Sequence, residues 1–447
     1  MKLDYGAGLI LDRLLTAGYS SYIVGGAVRD FLLARPINDY DIASQARPDQ
    51  VKDLFKDYKL VEVGKKFGTI KIIIGSKAYE VTSFRREKSY SDGRRPDFVD
   101  FSQSLEEDLA RRDFTINAMA FGPEGLVDLF GGKEDLEAGI IRAVGRPETR
   151  IKEDYLRALR AIRFACQLDF CLEEDLVETI GKQSENIQLI SRERIRDEFS
   201  KILLTDKASK GLNLLRQTGL LEEILPELKK SYDFDQRNSH HQDDLFVHSL
   251  KVVDQSPRDL IIRLAALFHD MGKVDSFFIG EDGQGHFYGH EKISADLANK
   301  ALTRLRYDKK TIESVVVLIE RHMDANNKYT EKSVRKLVGR LGRKNCLRLF
   351  DLQRADRLAS SGKENLENIH RALSIYDKII VDDLLVDTNQ LTIDGHDLID
   401  EGFKQGRLIG RILDDITNLV IEGQLKNEKL DILEYVNKEY GEYKWRD

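Results

Sequence analysis

At 447 residues the chain exceeds what one ordinary core fills, and at roughly 150 residues per domain it predicts about three folding units. Hydrophobic residues make up 41% and charged residues 33%, a balance that excludes a fibre, a low-complexity linker or a disordered chain. The formal net charge of −7 excludes a protein that coats nucleic acid indiscriminately, while leaving room for a basic patch on an acidic body.

In chain order, the opening MKLDYGAGLILDRLL has no long apolar run before a small-residue cleavage site, and the most apolar later stretch, LIIRLAALF (260–268), is short and interrupted by Arg263. The expectation is a cytoplasmic protein with no membrane partner. YIVGG (22–26), DYDIAS (39–44), GTIKIIIG (68–75) and AYEVTSF (78–84) read as strands, the last two joined as a hairpin across the intervening GSK turn. RREKSYSDGRRPDFV (85–99) reads as a charged loop. Beyond about residue 150 strand signals vanish, and EDYLRALRAIRFACQL (153–168), EFSKILLTD (198–206) and SVVVLIERHM (314–323) place apolar residues at helical spacing. The expected fold class is α+β, a small mixed sheet with helices followed by all-α segments, with boundaries at 1–140, 141–225, 226–375 and 376–447. Cys166, Cys171 and Cys346 are odd in number and lack CxxC spacing, so they are expected to be buried thiols rather than a disulfide framework or zinc site. From Lys332 to Arg348 the chain carries seven Lys or Arg and no acid, a density suited either to a phosphate backbone or to a solvated helix face.

The stretch GGAVRDFLLARPINDYDIAS (25–44) carries the first chemistry. Side chains alternate along a strand, so Asp39 and Asp41 project to one side with about 6 to 7 Å between their Cα atoms. Two such carboxylates repel unless a cation lies between them, and magnesium takes oxygen ligands of this type. Upstream, Gly25 and Gly26 let the backbone approach a triphosphate, and Arg29 offers a guanidinium to phosphate oxygens. Glu80 is a candidate third carboxylate from a strand beside theirs.

GG-x-VRD followed by D-Y-D resembles the polymerase-β-like nucleotidyltransferase superfamily, and specifically the bacterial tRNA nucleotidyltransferase and poly(A) polymerase family. RRDFTINAMA (111–120), DLFGGKEDL (128–136) and EDYLRALRAIRFA (153–165) follow in that family's order. The resemblance implies a catalytic head with helical neck, body and tail that hold tRNA, Asp39 and Asp41 as catalytic ligands of Mg2+, and CTP and ATP as nucleotides. It further implies nucleotide contacts from Arg111, Arg112, Asp113, Asn117, Arg160 and Arg163, with Asp113 accepting from the ribose hydroxyl. A helix-entry ion pair is the plainer reading of Arg112 and Asp113. Spacing puts Glu153 and Arg157 on one helix face with Asp154 on its flank, where an ordinary intrahelical salt bridge is the plainer reading and base selection is what the resemblance implies. A carboxylate that accepts and a guanidinium that donates match the edges of C and A, which offer an amine beside a ring nitrogen, and Glu153 is expected to orient Arg157. A loop at 85–99 is associated in this family with adding the terminal A.

A second series is FHDMGK (268–273) with VHSLKVV, YGHEKISA, IERHM and RADRLA around it, which together resemble the HD phosphohydrolase domain. His248, His269, Asp270, His290, His322 and Asp356 would be ligands for a divalent metal, and phosphatase or cyclic phosphodiesterase activity would follow. The leading expectation is addition of CCA to tRNA. An enzyme adding only A, a poly(A) polymerase, an HD phosphohydrolase with a nucleotide-sensing head, and a non-enzymatic RNA-binding protein are the alternatives.

Overall fold

The computed structural model describes residues 1–63, 68–88, 98–234, 244–281, 284–360, 366–381, 391–421 and 424–444. The chain divides into two compact units, Met1–Pro226 and Glu227–Asp447.

The first unit is built on a seven-stranded mixed sheet. Its strands are β1 (Ser21–Val24), β2 (Asp41–Ser44), β3 (Lys59–Val63), β4 (Thr69–Ile74) and β5 (Lys77–Ser83), with a side ladder of β6 (Arg85–Lys88) and β7 (Phe98–Phe101), then β8 (Met119–Gly122) and β9 (Gly125–Asp128). The sheet order is β3-β4-β5-β2-β1-β8-β9, so β2 and β1 are interior. Interior strands need side chains that bury on both faces, and Ile23, Val24, Ile42 and Ala43 do so. Val24, Ala43, Phe84, Leu109 and Ala120 form one core cluster under the site-bearing end of β2. The expected hairpin is present as β4 and β5, antiparallel with Ile74 opposite Lys77. Gly75 supplies the positive φ of 62° that its two-residue turn requires.

Two local expectations change. The run 85–99 is not wholly loop: its ends pair as β6 and β7, Arg85 opposite Phe101, and residues 89–97 lie outside the described residues. EDYLRALRAIRFA is not one helix either. One helix ends at Glu153, Asp154 adopts φ −153° and ψ 105°, and the next runs Leu156–Leu168. Asp154 earns that break by capping, since its Oδ1 accepts the Leu156 N–H at 3.1 Å.

In the second unit, helices Leu245–Gln255, Leu260–Phe268, His290–Arg304 and Lys309–Arg321 pack with the long helix Glu331–Ala359. That long helix is interrupted at Gly342, where φ is 73°. The basic run therefore spans a break, and part of its charge is already paired: Arg335 with Glu331, and Arg348 in two hydrogen bonds to Asp259. A two-residue ladder pairs Phe278–Ile279 with Gly285–His286. The C-terminal stretch has its own core of Ile393, Leu398, Phe403, Ile412, Ile416, Ile432 and Val436. Among the described residues no helix is long and apolar enough to cross a membrane. Cys166 and Cys346 are buried as expected, but Cys171 is exposed because it lies on a surface strand, Cys171–Leu172.

Candidate functional site

In the first unit the site grows from the end of β2. Regular pairing begins at Asp41, so Asp39 precedes the strand, yet exposure alternates: Tyr40 is buried while Asp39 and Asp41 are open. The two carboxylates thus share a face, as the spacing predicts. Asp41 is in register with Glu80 on parallel β5, which brings Glu80 alongside. Glu80, however, is held by Lys71 Nζ at 2.9 Å. Although Asp41 reaches solvent, it sits in a dense concave wall that pushes its carboxyl above the usual range; the Arg112 guanidinium opposes this, and Glu80 and Asp39 reinforce it.

Gly25 closes the other side, with φ 69° and its N–H donated to the Met119 carbonyl at 3.2 Å. A Cβ there would lie 2.9 Å from Arg112 Nη1 and 3.9 Å from Asp41 Oδ2. Bare backbone, guanidinium and carboxylate therefore meet at one point. Arg112 is aimed by Asp108, a fully buried carboxylate that accepts Arg111 on Oδ1 and Arg112 on Oδ2. Arg112 Nε is buried and makes no hydrogen bond.

Behind this wall runs a buried polar chain. Arg29 Nη1 donates to Asn117 Oδ1 at 2.8 Å, and Asn117 Nδ2 donates to Asp113 Oδ1 at 3.1 Å. Asp113 Oδ1 also accepts the Phe114 N–H, while Oδ2 accepts both Nε and Nη2 of Arg160. Two hydrogen bonds on each oxygen use the carboxylate's acceptor capacity. Burial alone would raise this carboxyl, but Arg160 and Asn117 hold it well below the carboxylate range. Without a nucleotide, Asp113, the residue expected at the ribose, ties Asn117 to Arg160 and has its four acceptor directions occupied. It does not pair with Arg112. Arg163, expected as a nucleotide contact, is buried with Nε on Glu198 Oε2 at 2.6 Å and Nη1 on Gln167 Oε1, and the first of these joins two helices.

The trio expected to select the base is assembled across the helix break. Glu153 Oε2 accepts from Arg150 Nη1 and Arg157 Nη1, so Glu153 does orient Arg157. Arg157 also donates to the Arg150 and Arg111 carbonyls, which leaves two of its five N–H groups for a ligand. Asp154 receives Arg194 on both oxygens, at 3.3 and 2.7 Å, and beyond Leu156 it keeps one acceptor direction on Oδ2. Arg194 was not among the residues the sequence singled out. It lies 40 positions from Asp154, and only the need of a half-buried carboxylate for a partner pointed toward it.

In the second unit all six predicted ligands converge. His248, His269 and Asp356 offer ligand atoms within 4.8 Å of one another, and so do Asp270, His290 and His322. Among the described residues these are the two such groups of three or more, so Asp39, Asp41 and Glu80 do not form one. Asp270 links the groups, with Oδ2 3.3 Å from His269 Nε2 and Oδ1 3.3 Å from His290 Nε2. His269, His290 and His322 direct Nδ1 at the carbonyls of Ala266, Phe287 and Ile319, at 2.9, 2.7 and 2.6 Å. With Nδ1 donating to a carbonyl, each ring turns Nε2 inward, and in the neutral ring that nitrogen is the one a metal would take. His269 Nε2 is buried and makes no hydrogen bond. Burial would lower the His269 imidazole, yet the negative charge of Asp270 and Asp356 raises it to about 10, a local field that calls for positive charge. Lys273 Nζ, 2.7 Å from Asp270 Oδ2, supplies some; it stands in FHDMGK but was passed over as a site residue.

Three family models match: the poly A polymerase head domain over 21–142, "Probable RNA and SrmB-binding site of polymerase A" over 169–232, and tRNA nucleotidyltransferase domain 2 over 288–436. A CCA-adding enzyme of Pediococcus pentosaceus is 35% identical over 434 residues, 97% of either chain. The chain belongs to the CCA-adding tRNA nucleotidyltransferase family. A CCA-adding enzyme of Bacillus subtilis is 49% identical over 216 residues, 48% of this chain and 54% of that protein. The CCA-adding enzyme of Bacillus stearothermophilus, solved in complex with CTP, superposes with a TM-score of 0.73 at 29% identity and 98% coverage of both chains. CCA-adding enzymes are metal-dependent nucleotidyltransferases, and among the described residues this member carries two candidate metal-binding groups, both in its second unit.

Proposed function

We propose that this CCA-adding enzyme extends the 3′ end of tRNA from CTP and ATP, in the cytoplasm, at the β2 wall of the first unit. One observation carries the reading: bare backbone at Gly25, the Arg112 guanidinium and the Asp41 carboxylate stand so close that a Cβ would come within 2.9 Å of Arg112 Nη1, which sets a backbone, a cation and a carboxylate side by side as a metal-bound triphosphate requires. The donor set fits Mg2+, since Asp39 and Asp41 are paired, open carboxylates on one face, with Glu80 in register beside them. Bound there, Mg2+ would neutralise triphosphate charge and acidify the attacking 3′-hydroxyl. Of the chain's own groups, Arg112 and Arg29 face the phosphates, Arg111 and Asp108 fix Arg112, and Asp154 and Arg157 read the base edge. The structures of related enzymes with CTP, ATP and tRNA support these partners. Relatives named for adding CCA favour that product over a lone A or a poly(A) tail. The test is incubation with tRNAs ending at the discriminator base, at C and at CC, with labelled CTP or ATP; wild type should complete each.

The converged cluster favours a second activity. We infer that His248, His269, Asp270, His290, His322 and Asp356 hold one or two divalent metal ions and that the second unit hydrolyses phosphoesters, as an HD domain would. In that reaction water adds across a P–O bond, its oxygen to phosphorus and a proton to the departing alkoxide. The inward Nε2 atoms support the metal reading, and equilibrium dialysis with Mn2+ or Ni2+ against the His269→Ala, Asp270→Ala double variant tests it.

A further inference from the structure

Three residues ahead of Glu153, Arg150 spreads its guanidinium over three pieces of the first unit. Nε donates to the Val144 carbonyl at 3.0 Å, Nη1 to Glu153 Oε2 at 2.8 Å, and Nη2 to the Ala110 carbonyl at 2.6 Å. Its own carbonyl accepts from Arg157 Nη1 at 2.8 Å. Only 12% of the side chain is exposed, so these bonds are largely shielded from competing water. Three acceptors in three directions need a planar fork, which lysine with its one nitrogen does not offer.

The acceptors have different consequences. Ala110 ends the helix Leu105–Ala110, and the next carbonyl, that of Arg111, accepts from Arg157 Nη2 at 3.2 Å. That same helix carries Asp108, which aims Arg111 and Arg112. The consecutive carbonyls of Ala110 and Arg111 therefore lie on the two guanidiniums that Glu153 Oε2 joins. Val144 closes the loop, since its N–H donates to the Asp113 carbonyl at 3.2 Å. The arginines of the β2 wall and Arg157 are two ends of one hydrogen-bonded frame with Arg150 at its centre. Arg150 also shares Glu153: a carboxylate left with Arg157 alone would close on it in the bidentate form and draw its remaining N–H groups away from a ligand.

We propose that Arg150 is a positioning residue for base selection, which keeps Arg157 from closing on Glu153 and passes the fit of the base to the arginines that align the triphosphate. This rests on the reading of Asp154 and Arg157 as the base-edge pair. An amine beside a ring nitrogen holds Arg157 extended, and the carbonyls of Ala110 and Arg111 stay with it. A carbonyl beside an N–H pushes Arg157 away, and the frame loosens under Arg111 and Arg112. Selection is then expressed in kcat, where the triphosphate must be aligned, and not in binding alone.

The experiment measures single-nucleotide incorporation by the full chain, with CTP or UTP on tRNA ending at the discriminator base and with ATP or GTP on tRNA ending at CC. In Arg150→Ala, kcat for CTP and ATP should fall about tenfold or more with KM within about threefold, while UTP and GTP change less than about threefold, so that CTP over UTP narrows. Arg150→Lys keeps a charge beside Glu153 and should fold like wild type by circular dichroism, yet leave the ratio narrowed; should Arg150→Ala prove unfolded, the lysine variant decides. Equal loss on all four triphosphates marks a merely structural residue and overturns the proposal, as does an unchanged ratio or its full recovery with lysine. Arg157→Ala, run alongside, separates the two failures. If it narrows the ratio and the Arg150 variants do not, Arg150 alone is misassigned; if none of them narrows it, the base-edge reading falls as well.

Discussion

The two units place charge in opposite ways. In the first, the carboxylates at the end of β2 are open and the triad with Glu80 is ungathered, while the arginines around them are already tethered to Asp108, Glu153 and Asp113. In the second, the histidines and Asp270 are buried, Asp356 is half-buried, and their ligand atoms converge. On the function proposed, the first would be an anion-receiving wall whose cation site is completed by its substrate, because a triphosphate brings oxygens the protein lacks. The second is a cage whose donors are all supplied by the chain. Coordination by one should depend on nucleotide, and by the other should not.

The strongest way to break that comparison is Asp41→Ala. Incorporation of both C and A should fall on the order of 1000-fold, about 4 kcal/mol of barrier, in a folded protein; a loss below about tenfold would place the metal elsewhere. His269→Ala with Asp270→Ala should abolish nucleotide-independent Mn2+ binding and leave CCA synthesis running, and collapse of synthesis in a folded double variant would show that the sites are not separate.

Asp113→Asn should destabilise the protein by about 3 kcal/mol, read as a lowered denaturation midpoint, because it strips the charge that Arg160 faces. Since the folded-state carboxyl lies below its unfolded value, that stability is present above about pH 4 and is lost as pH falls further. The Asn variant should show a flatter acid limb in this window, and an identical acid profile would disprove the pairing.

Smaller effects sharpen the base-reading end of the wall. Asp154→Ala should cost C and A alike by about 1 to 3 kcal/mol in single-nucleotide incorporation. Arg157→Ala should do likewise and narrow CTP over UTP, since it removes a donor that opposes the N–H of U; a ratio within about twofold of wild type, less than about 0.5 kcal/mol, would reject the assignment. The smallest probe is chemical. Iodoacetamide should modify Cys171 alone in the native protein at pH 8, because burial pushes the Cys346 thiol up to about 12 and Cys166 is enclosed; rapid labelling of Cys346 would contradict its burial.

Much of this was legible in the chain. Strand runs, the GSK hairpin, the shared face of Asp39 and Asp41, and all six ligands of the second cluster follow from periodicity and motif order. What was hidden is the identity of long-range partners. Arg163 to Glu198 spans 35 positions, Asp154 to Arg194 spans 40 and Arg160 to Asp113 spans 47, and no period marks which distant ion a half-buried charge will meet. For the same reason the internal partners of Asp113 and Arg163, the residues Arg160, Asn117 and Glu198, do not show in the sequence. The helix break at Asp154 was hidden because the apolar spacing runs through it unbroken.

The turn at Gly25 bears on how this sequence can drift. Gly75 also needs a positive φ, but a Cβ there meets nothing within 4 Å, so asparagine should survive at that hairpin. At Gly25 the same backbone strain coincides with a guanidinium 2.9 Å away, and no rotamer moves a Cβ. A saturation library selected for growth on tRNA repair should therefore return a scatter of codons at 75 and a single amino acid at 25, with no second-site suppressor short of surrendering Arg112.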